Sequence, residues 1–215
     1  MKFLTENDDF PPVESANALG LLAFGGDLSP ERLIQAYTHG IFPWYDSSQP
    51  ILWWSPDPRM VLFPGKLKIS KSMKQLLKKE VFEVTFNKAF EEVIANCAAA
   101  KREGQEGTWI TREMQEAYSK LHELSWAESV EVWQEGQLVG GIYGIFLKEQ
   151  NVFCGESMFT KVSNASKYGF IKMVEKLKER RVRLIDCQIY TDHLASLGAE
   201  EIPREEFLKY LNSSG

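Results

Sequence analysis

The chain has 215 residues, of which 44% are hydrophobic and 26% are charged, a balance typical of a folded globular protein and not of a disordered or collagen-like chain. Its formal net charge of −5 argues, taken alone, against a polyanionic partner such as nucleic acid. No apolar run approaches the ~18 residues of a membrane span, and the acidic N-terminus lacks the apolar stretch of a signal peptide, so we expect a cytoplasmic protein.

The first 62 residues are rich in Pro, Gly and aromatic residues, and they predict a small N-terminal domain. One helix is well marked, because Ser29 supplies an N-cap, Pro30 suits the first helical position and Gly40 follows the end. The aromatic cluster that follows favours a small core or, where a ring is exposed, a platform on which nucleobases stack. Its members are Phe42, Trp44, Tyr45, Trp53 and Trp54.

Residues 63–215 predict a second, larger domain of mixed α/β class. Apolar residues recur at helical spacing around Met73, after Asn87 and after Thr111. The period then changes to two in VEVWQ, QLVGGIYGIFL and VFCGESMF, which predicts three antiparallel strands joined by short turns. A helix from near Ser163, the strand LIDCQIY and a short helix at HLASLG complete the pattern.

Charge is distributed unevenly along the chain. Residues 64–79 hold six lysines and no acidic residue, and residues 161–183 hold eight basic and two acidic residues, so each segment sums to +6. In the first segment Lys71, Lys74 and Lys78 recur at spacings of three and four, and therefore form one stripe on the predicted helix. Such a stripe is usually a solvated face, but beside exposed tryptophans it would suit single-stranded nucleic acid.

Polar residues interrupt two of the predicted strands. In an extended LIDCQIY, Asp186 and Gln188 share one face, where they either tie a neighbouring loop or belong to a site, since an unpaired buried polar group costs about 1–3 kcal/mol. Glu156 in VFCGESMF poses the same choice, because a carboxylate among apolar neighbours needs a cationic partner or a site to serve.

Common catalytic motifs are missing from the sequence. The three cysteines match no metal-ligand spacing and are expected to be buried free thiols, and no Ser-His-Asp, phosphate-loop or dinucleotide motif is present. The residue patterns alone therefore predict a mixed α/β domain with a polar pocket, and they do not identify a reaction.

Long strings of the sequence resemble one bacterial family. They include GLLAFGGDLSPERLIQAYTHGIFPWY, ILWWSPDPR, EGTWITREMQEAYSKLHELSWAESVEVW, LVGGIYG, FCGESMF and LIDCQIYTDHLASLGAEEIPREEFL. This set resembles the leucyl/phenylalanyl-tRNA protein transferases from about Gly20 to Phe207. The resemblance implies transfer of Leu or Phe, and also Met, from aminoacyl-tRNA to proteins that begin with Arg or Lys, which marks them for degradation by the N-end rule pathway.

The resemblance also implies a fold, a small N-terminal domain followed by an N-acetyltransferase-like (GNAT) domain. An acetyl-CoA enzyme carries a glycine-rich pyrophosphate loop before its main helix. The corresponding residues 160–167 contain no glycine, which favours a tRNA-using enzyme. An acetyl-CoA-dependent N-acetyltransferase and a non-catalytic tRNA-binding module remain the alternatives.

Roles for individual residues follow from the same resemblance. Asp186 and Gln188 correspond to the pair at the reacting centre, and Glu156 to a residue near the amino group of the transferred amino acid. Trp44 and Trp109 correspond to aromatic residues near the terminal adenosine of the tRNA. The apolar pocket for the Leu or Phe side chain corresponds to Phe153, Met173, Leu177 and Ile185.

The implied reaction is aminolysis of an ester, and we expect it to need no metal or cofactor. An α-amino group with a pKa near 8 is already about one tenth neutral at pH 7, so a strong general base is not demanded. Gln188 would then accept a hydrogen bond from the attacking amine, and Asp186 would polarise Gln188. The acidic residues after 184 are candidates for binding the acceptor Arg or Lys.

Overall fold

The chain forms two β-sheets and seven α-helices in the part that a computed structural model describes, residues 2–100 and 108–213. The strands are β1 Lys2–Leu4, β2 Leu21–Gly25, β3 Phe42–Pro43, β4 Leu52–Trp54, β5 Arg59–Leu62, β6 Glu83–Phe86, β7 Ala127–Gln134, β8 Gln137–Leu147, β9 Val152–Thr160, β10 Leu184–Gln188 and β11 Glu200–Ile202. The helices are α1 Pro30–Thr38, α2 Lys71–Lys78, α3 Phe90–Ala99, α4 Arg112–Glu123, α5 Ala165–Glu179, α6 Asp192–Ser196 and α7 Arg204–Asn212.

The N-terminal residues build a four-stranded sheet in the order β1-β2-β4-β3, and α1 follows its second strand. The predicted capping of α1 is confirmed, since the Ser29 side chain accepts a hydrogen bond from the Arg32 backbone N–H and Pro30 is the first helical residue. Gly40 has a φ of +75°, a left-handed conformation that suits glycine after a helix end.

The remaining strands form a seven-stranded sheet in the order β11-β5-β10-β9-β8-β7-β6. The mixed α/β class and the three predicted hairpin strands are confirmed, with β7, β8 and β9 pairing antiparallel in sequence order. Strand β5, Arg59–Leu62, belongs to this sheet and pairs with both β10 and β11. The domain boundary after residue 62 stays a prediction.

Among the strands and α-helices described after residue 62, three were not predicted from the sequence. Strands β6 and β11 are only four and three residues long, too short to establish a period of two. In helix α7 only Phe207 and Leu211 are fully buried, a single i, i+4 pair that is too short a pattern to establish a helical period. Short elements of this kind take their conformation from the sheet or core beside them.

The two central strands of the larger sheet separate at one end. Strands β9 and β10 are parallel, with α5 crossing between them, and they pair only from Val152 and Leu184 to Cys154 and Asp186. Beyond that point the two strands no longer pair with each other, and each has an irregularity against its other neighbour: β9 opposite Tyr143 and Gly144 of β8, and β10 between Asp186 and Gln188, opposite β5. The separation opens a cleft in the sheet.

The largest hydrophobic cluster joins both sheets. It contains Leu22, Leu33 and Trp53 from the N-terminal residues together with Tyr118 and Phe207 from later helices. A second cluster lies between the larger sheet and α5. Among the described residues, none of the helices has both the length and the apolar character that crossing a membrane requires.

Candidate active site

A cavity of about 420 Å³ fills the cleft between the separated ends of β9 and β10. Its walls are mostly apolar, and its polar members are grouped on the two strand ends and on the segment that leads into α6. The residues around it are Phe42, Pro43, Trp44, Trp109, Ile142, Gly155, Glu156, Ser157, Met158, Phe170, Met173, Ile185, Cys187, Gln188, Ile189, Thr191, His193 and Leu194.

Glu156 and Gln188 face each other across the cleft. Each lies two residues beyond the last position at which β9 and β10 pair with each other. Gln188 Nε2 donates a hydrogen bond of 2.8 Å to Glu156 Oε1. The other carboxylate oxygen accepts a hydrogen bond of 3.2 Å from the Tyr118 hydroxyl. The structure thus brings together two of the three polar residues predicted for the site.

Burial raises the pKa of Glu156 to about 7. Hydrogen bonds from Tyr37, Tyr118 and Gln188 oppose this rise, whereas the negative charge of Asp186 adds to it. In the described part of the chain, no Lys, Arg or His forms an ion pair with Glu156. A half-buried carboxylate without a cation inside a cavity is suited to bind a cationic group of a ligand.

Two buried tyrosines connect this carboxylate to the N-terminal residues. Tyr118 on α4 and Tyr37 on α1 join their hydroxyl groups in a short hydrogen bond, and Tyr118 continues the chain to Glu156. Burial raises the pKa of both phenols well above the ordinary value, so both stay protonated and can donate. Sequence analysis assigned neither tyrosine to the site.

Asp186 and Gln188 do not share a face as an extended strand would require. Asp186 pairs with Val61 of β5, and Gln188 pairs with Met60, the adjacent residue of the same strand. Cys187 has no partner of its own and is therefore the extra residue of a bulge. Gln188 lines the cavity together with Ile185 and Cys187, whereas Asp186 does not. The prediction of a shared face was wrong because strict alternation holds only for a regular strand.

Asp186 is engaged by a buried arginine on the neighbouring strand. Arg59 donates to the two carboxylate oxygens through Nε and Nη2, at 2.8 and 2.7 Å, and each residue of the pair is only 1% exposed. Asp186 also accepts a hydrogen bond of 2.9 Å from the backbone N–H of Gln188. Arg59 was missed in the sequence, although an arginine within RMVL, beside buried apolar residues, was the available signal.

Trp44 and Trp109 both line the cavity and are half-buried. Trp44 follows β3 and packs edge-on against Trp54, with the ring centroids 5.6 Å apart. Trp54 Nε1 donates to the Trp44 carbonyl, which fixes the backbone of this wall. The two predicted aromatic residues therefore lie at the same cavity as Glu156 and Gln188.

The four residues predicted for an apolar pocket divide into two pairs. Met173 and Ile185 line the cavity, on α5 and β10. Phe153 and Leu177 belong to the same hydrophobic cluster but lie behind the cavity wall, beside a separate small void of about 20 Å³. Four further wall residues, not predicted from the sequence, are apolar: Ile142, Met158, Phe170 and Leu194.

Lys71, Lys74 and Lys78 occupy exposed positions on α2, as the predicted stripe requires. None of the three forms an ion pair with another described residue. By contrast, three lysines on later helices are each paired with a glutamate one turn away: Lys172, Lys176 and Lys209. The stripe is therefore a cationic surface whose charge is not neutralised locally.

Within residues 2–100 and 108–213, no three His, Cys, Asp or Glu side chains are grouped closely enough to hold a metal ion. Cys97 and Cys154 are buried and Cys187 is partly buried, and all three are free thiols, as predicted. Burial raises the pKa of Cys187 far above its usual range, although this thiol lines the cavity. Burial therefore brings the pKa of the Glu156 carboxyl to about 7, and burial lowers the pKa of His193, which also lines the cavity, below its ordinary value.

Solved structures of other proteins show a distant likeness to this chain. The structure of L-PGS from Bacillus licheniformis covers 81% of this chain and 57% of its own, with a TM-score of 0.44 and 11% identity. A ribosomal-protein-alanine N-acetyltransferase from Brucella melitensis covers 54% of this chain and 84% of its own, with a TM-score of 0.38 and 14% identity.

Comparison with known sequences gives a close match over nearly the whole chain. Residues 61–212 match the family described as leucyl/phenylalanyl-tRNA protein transferase, and residues 26–57 match the N-terminal domain of the same family. A leucyl/phenylalanyl-tRNA protein transferase from Christiangramia forsetii is 62% identical over 98% of this chain and 100% of its own length. One from Flavobacterium psychrophilum is 59% identical over 98% of this chain and 99% of its own. The chain is therefore an aminoacyltransferase and belongs to the leucyl/phenylalanyl-tRNA protein transferase family.

Proposed function

We propose that this chain transfers leucine or phenylalanine, and also methionine, from charged tRNA to proteins whose first residue is Arg or Lys, and that it acts in the cytoplasm on proteins destined for degradation. The observation that carries the proposal is the apolar cavity that ends at Glu156 and Gln188. An apolar amino acid joined to adenosine matches both parts of this cavity. Its hydrophobic side chain suits the apolar walls, and its cationic α-amino group, beside the ester, suits the polar end.

Glu156 is proposed to bind the α-ammonium of the transferred amino acid. Its ionised carboxylate accepts hydrogen bonds from the ammonium, and the arriving positive charge favours ionisation of a group whose pKa is about 7. A donor with an acylated amino group carries no positive charge to attract this carboxylate, so we expect such a donor to bind more weakly. Trp44 and Trp109 are proposed to stack against the terminal adenosine at the same cavity.

The side chain of the amino acid is proposed to occupy the apolar wall that includes Met173 and Ile185. Phe153 and Leu177 support this wall from the cluster behind it. A pocket that recognises only apolar shape distinguishes side chains differing by one methylene by about 1–3 kcal/mol. Acceptance of leucine, phenylalanine and methionine by one cavity follows from that modest discrimination.

Gln188 is proposed to orient the acceptor amine. Its Nε2 is committed to Glu156, and the described residues provide no hydrogen-bond donor to its carbonyl oxygen, which leaves Oε1 able to accept from the amine. The amine nitrogen attacks the ester carbonyl, a C–N bond forms, the ester C–O bond breaks and the ribose hydroxyl leaves with the proton that the amine loses. Positioning of the two reactants contributes up to about 7–11 kcal/mol to such a step.

Asp186 contributes to this step from outside the cavity. It accepts a hydrogen bond from the backbone N–H of Gln188 and stays bound to Arg59, so its effect on the amine passes through the position of Gln188.

The three lysines of α2 are proposed to bind phosphates of the tRNA, because they are exposed and locally unpaired.

Incubation of the chain with leucyl-tRNA and a peptide beginning with Arg tests the proposal. The expected product carries Leu-Arg at its N-terminus, and a peptide identical except for an initial Ala or Glu serves as the matched control and should stay unmodified. Equal transfer to all of these peptides would contradict the proposed acceptor, and no transfer from leucyl-, phenylalanyl- or methionyl-tRNA at low salt would contradict the proposed donor.

A further inference from the structure

Arg59 on β5 connects three separate parts of the chain. Its guanidinium lies between the rings of Phe42 and Phe207, with centroid distances of 4.8 and 4.7 Å. Along its edge, Nη1 donates to the Gly40 carbonyl at 3.1 Å, and two other nitrogens donate to Asp186. The planar group is thus held by two aromatic rings and by hydrogen bonds along its edge, which is a geometry that lysine cannot reproduce.

The contact with Asp186 extends to the backbone of Gln188. Asp186 Oδ1, which accepts from Arg59 Nε, also accepts from the Gln188 N–H at 2.9 Å. Gln188 has a φ of +64°, in the left-handed region that non-glycine residues adopt only when their surroundings impose it. This conformation belongs to the bulge at Cys187 that places Gln188 on the cavity side of the strand.

We propose that Arg59 is a positioning residue for aminoacyl transfer. By holding Asp186 at two points, Arg59 fixes the carboxylate oxygen that binds the Gln188 N–H and so maintains the left-handed conformation of Gln188. The Gln188 amide then stays within hydrogen-bond distance of Glu156. Arg59 does not line the cavity and acts on the reaction only through Gln188. The inference rests on the proposed role of Gln188 at the reacting centre.

A double-mutant cycle separates positioning from a general contribution to stability. Arg59→Ala is expected to lower kcat by about 100-fold, the effect of a misplacement near 1 Å, while the KM for leucyl-tRNA stays within about threefold. In a chain that already carries Gln188→Ala, the same substitution should cause no further loss of kcat. An equal loss in both backgrounds would overturn the inference.

Arg32 provides a matched control. It is also a buried arginine, 6% exposed, with an ion pair to Asp27 and hydrogen bonds to backbone carbonyls, but it lies in the N-terminal sheet region away from the cavity. Arg32→Ala should lower thermal stability yet keep kcat per folded molecule within about threefold. A loss of kcat as large as that of Arg59→Ala would show that any missing buried arginine has this effect, and would overturn the inference.

A structural readout requires no catalysis. A crystal structure of Arg59→Lys, which keeps the charge and stands in should Arg59→Ala not fold, is expected to show Gln188 outside the left-handed region and its hydrogen bond to Glu156 lost. An unchanged φ at Gln188 together with an intact hydrogen bond would overturn the proposal. Failure of the wild-type chain to transfer leucine would contradict the proposed function alone, because the conformation of Gln188 is measured independently.

Discussion

The environment of Glu156 explains how one carboxylate can serve both the empty and the occupied cavity. The Tyr118 phenol and the Gln188 amide donate to it, so both of its oxygens have hydrogen-bond partners without a cation, while burial keeps its pKa near 7. Because the hydrogen bonds from Tyr37 and Tyr118 lower this pKa and burial raises it, the balance of these effects sets the charge of the cavity at neutral pH. A bound ammonium then favours the ionised form of Glu156 over the protonated form.

We expect kcat/KM for leucyl transfer to depend on the ionisation of Glu156. A raised carboxyl pKa means that the carboxylate forms as the pH rises through about 7, so activity should increase through this pH. Above about pH 8 the donor α-ammonium loses the charge that Glu156 binds, which opposes the gain from deprotonation of the acceptor amine. Glu156→Gln should lower activity and remove the limb near 7. The measurement is the pH–rate profile of both proteins, and identical profiles would contradict the role of Glu156.

The shape of the apolar wall should control the choice between leucine and phenylalanine. Met173→Ala enlarges the cavity, and we expect it to shift the ratio of kcat/KM for phenylalanyl-tRNA over leucyl-tRNA towards phenylalanine by about 10-fold, within the range of 1–3 kcal/mol for such discrimination. The measurement is that ratio under single-turnover conditions.

Leu177→Ala is the control for this substitution. Leu177 lies one turn further along α5 in the same cluster but behind the wall, so its truncation should cost stability, about 2–5 kcal/mol, without changing the ratio of the two donors. A change in preference as large as that of Met173→Ala would show that the cavity does not read shape at its wall.

At the scale of the elements, helix α2 packs Met73 into a hydrophobic cluster and presents its lysines on exposed positions. Changing Lys71, Lys74 and Lys78 to Ala should weaken tRNA binding and make log Kd depend less steeply on log salt, by about 2–3 in slope, since each phosphate contact contributes close to one. Filter binding over a range of salt concentrations measures this slope.

The matched control removes the same charge from Lys172, Lys176 and Lys209, each of which is already paired with a glutamate on its own helix. The control should leave the slope nearly unchanged. Equal slopes for the two triple variants would place the tRNA on another surface.

Sequence periodicity predicted most helices and the three hairpin strands, because each of these elements repeats its pattern over at least two turns or several alternations. It could not predict the bulges, since one extra residue reverses which face every later side chain occupies. Gln188 shows the consequence: an alternating strand assigns it to the face of Asp186, and the bulge at Cys187 moves it to the cavity. Tyr37 and Arg59 were missed for a different reason, because their partners are 81 and 127 residues away in sequence.

At the scale of the whole molecule, the contacts around the cavity join the N-terminal residues to the larger sheet. Tyr37 on α1 reaches Glu156 through Tyr118, and Gly40 and Phe42 contact the same guanidinium that binds Asp186. The main hydrophobic cluster also contains residues from both sheets. The site is therefore assembled only when the two sheets are packed together.

We expect the chain to unfold in a single cooperative transition for this reason. Three of the six tryptophans lie among the first 62 residues, whereas most of the helical signal comes from later in the chain, so tryptophan fluorescence and far-ultraviolet circular dichroism weight the two regions differently. Because one core contains both regions, urea curves recorded by the two methods should coincide, as a two-state transition requires. Arg59→Ala removes a partner from a buried ion pair and should shift both curves together by about 3–5 kcal/mol. Fluorescence that changes at lower urea than the circular dichroism would show that the N-terminal sheet unfolds separately, and would contradict a common core.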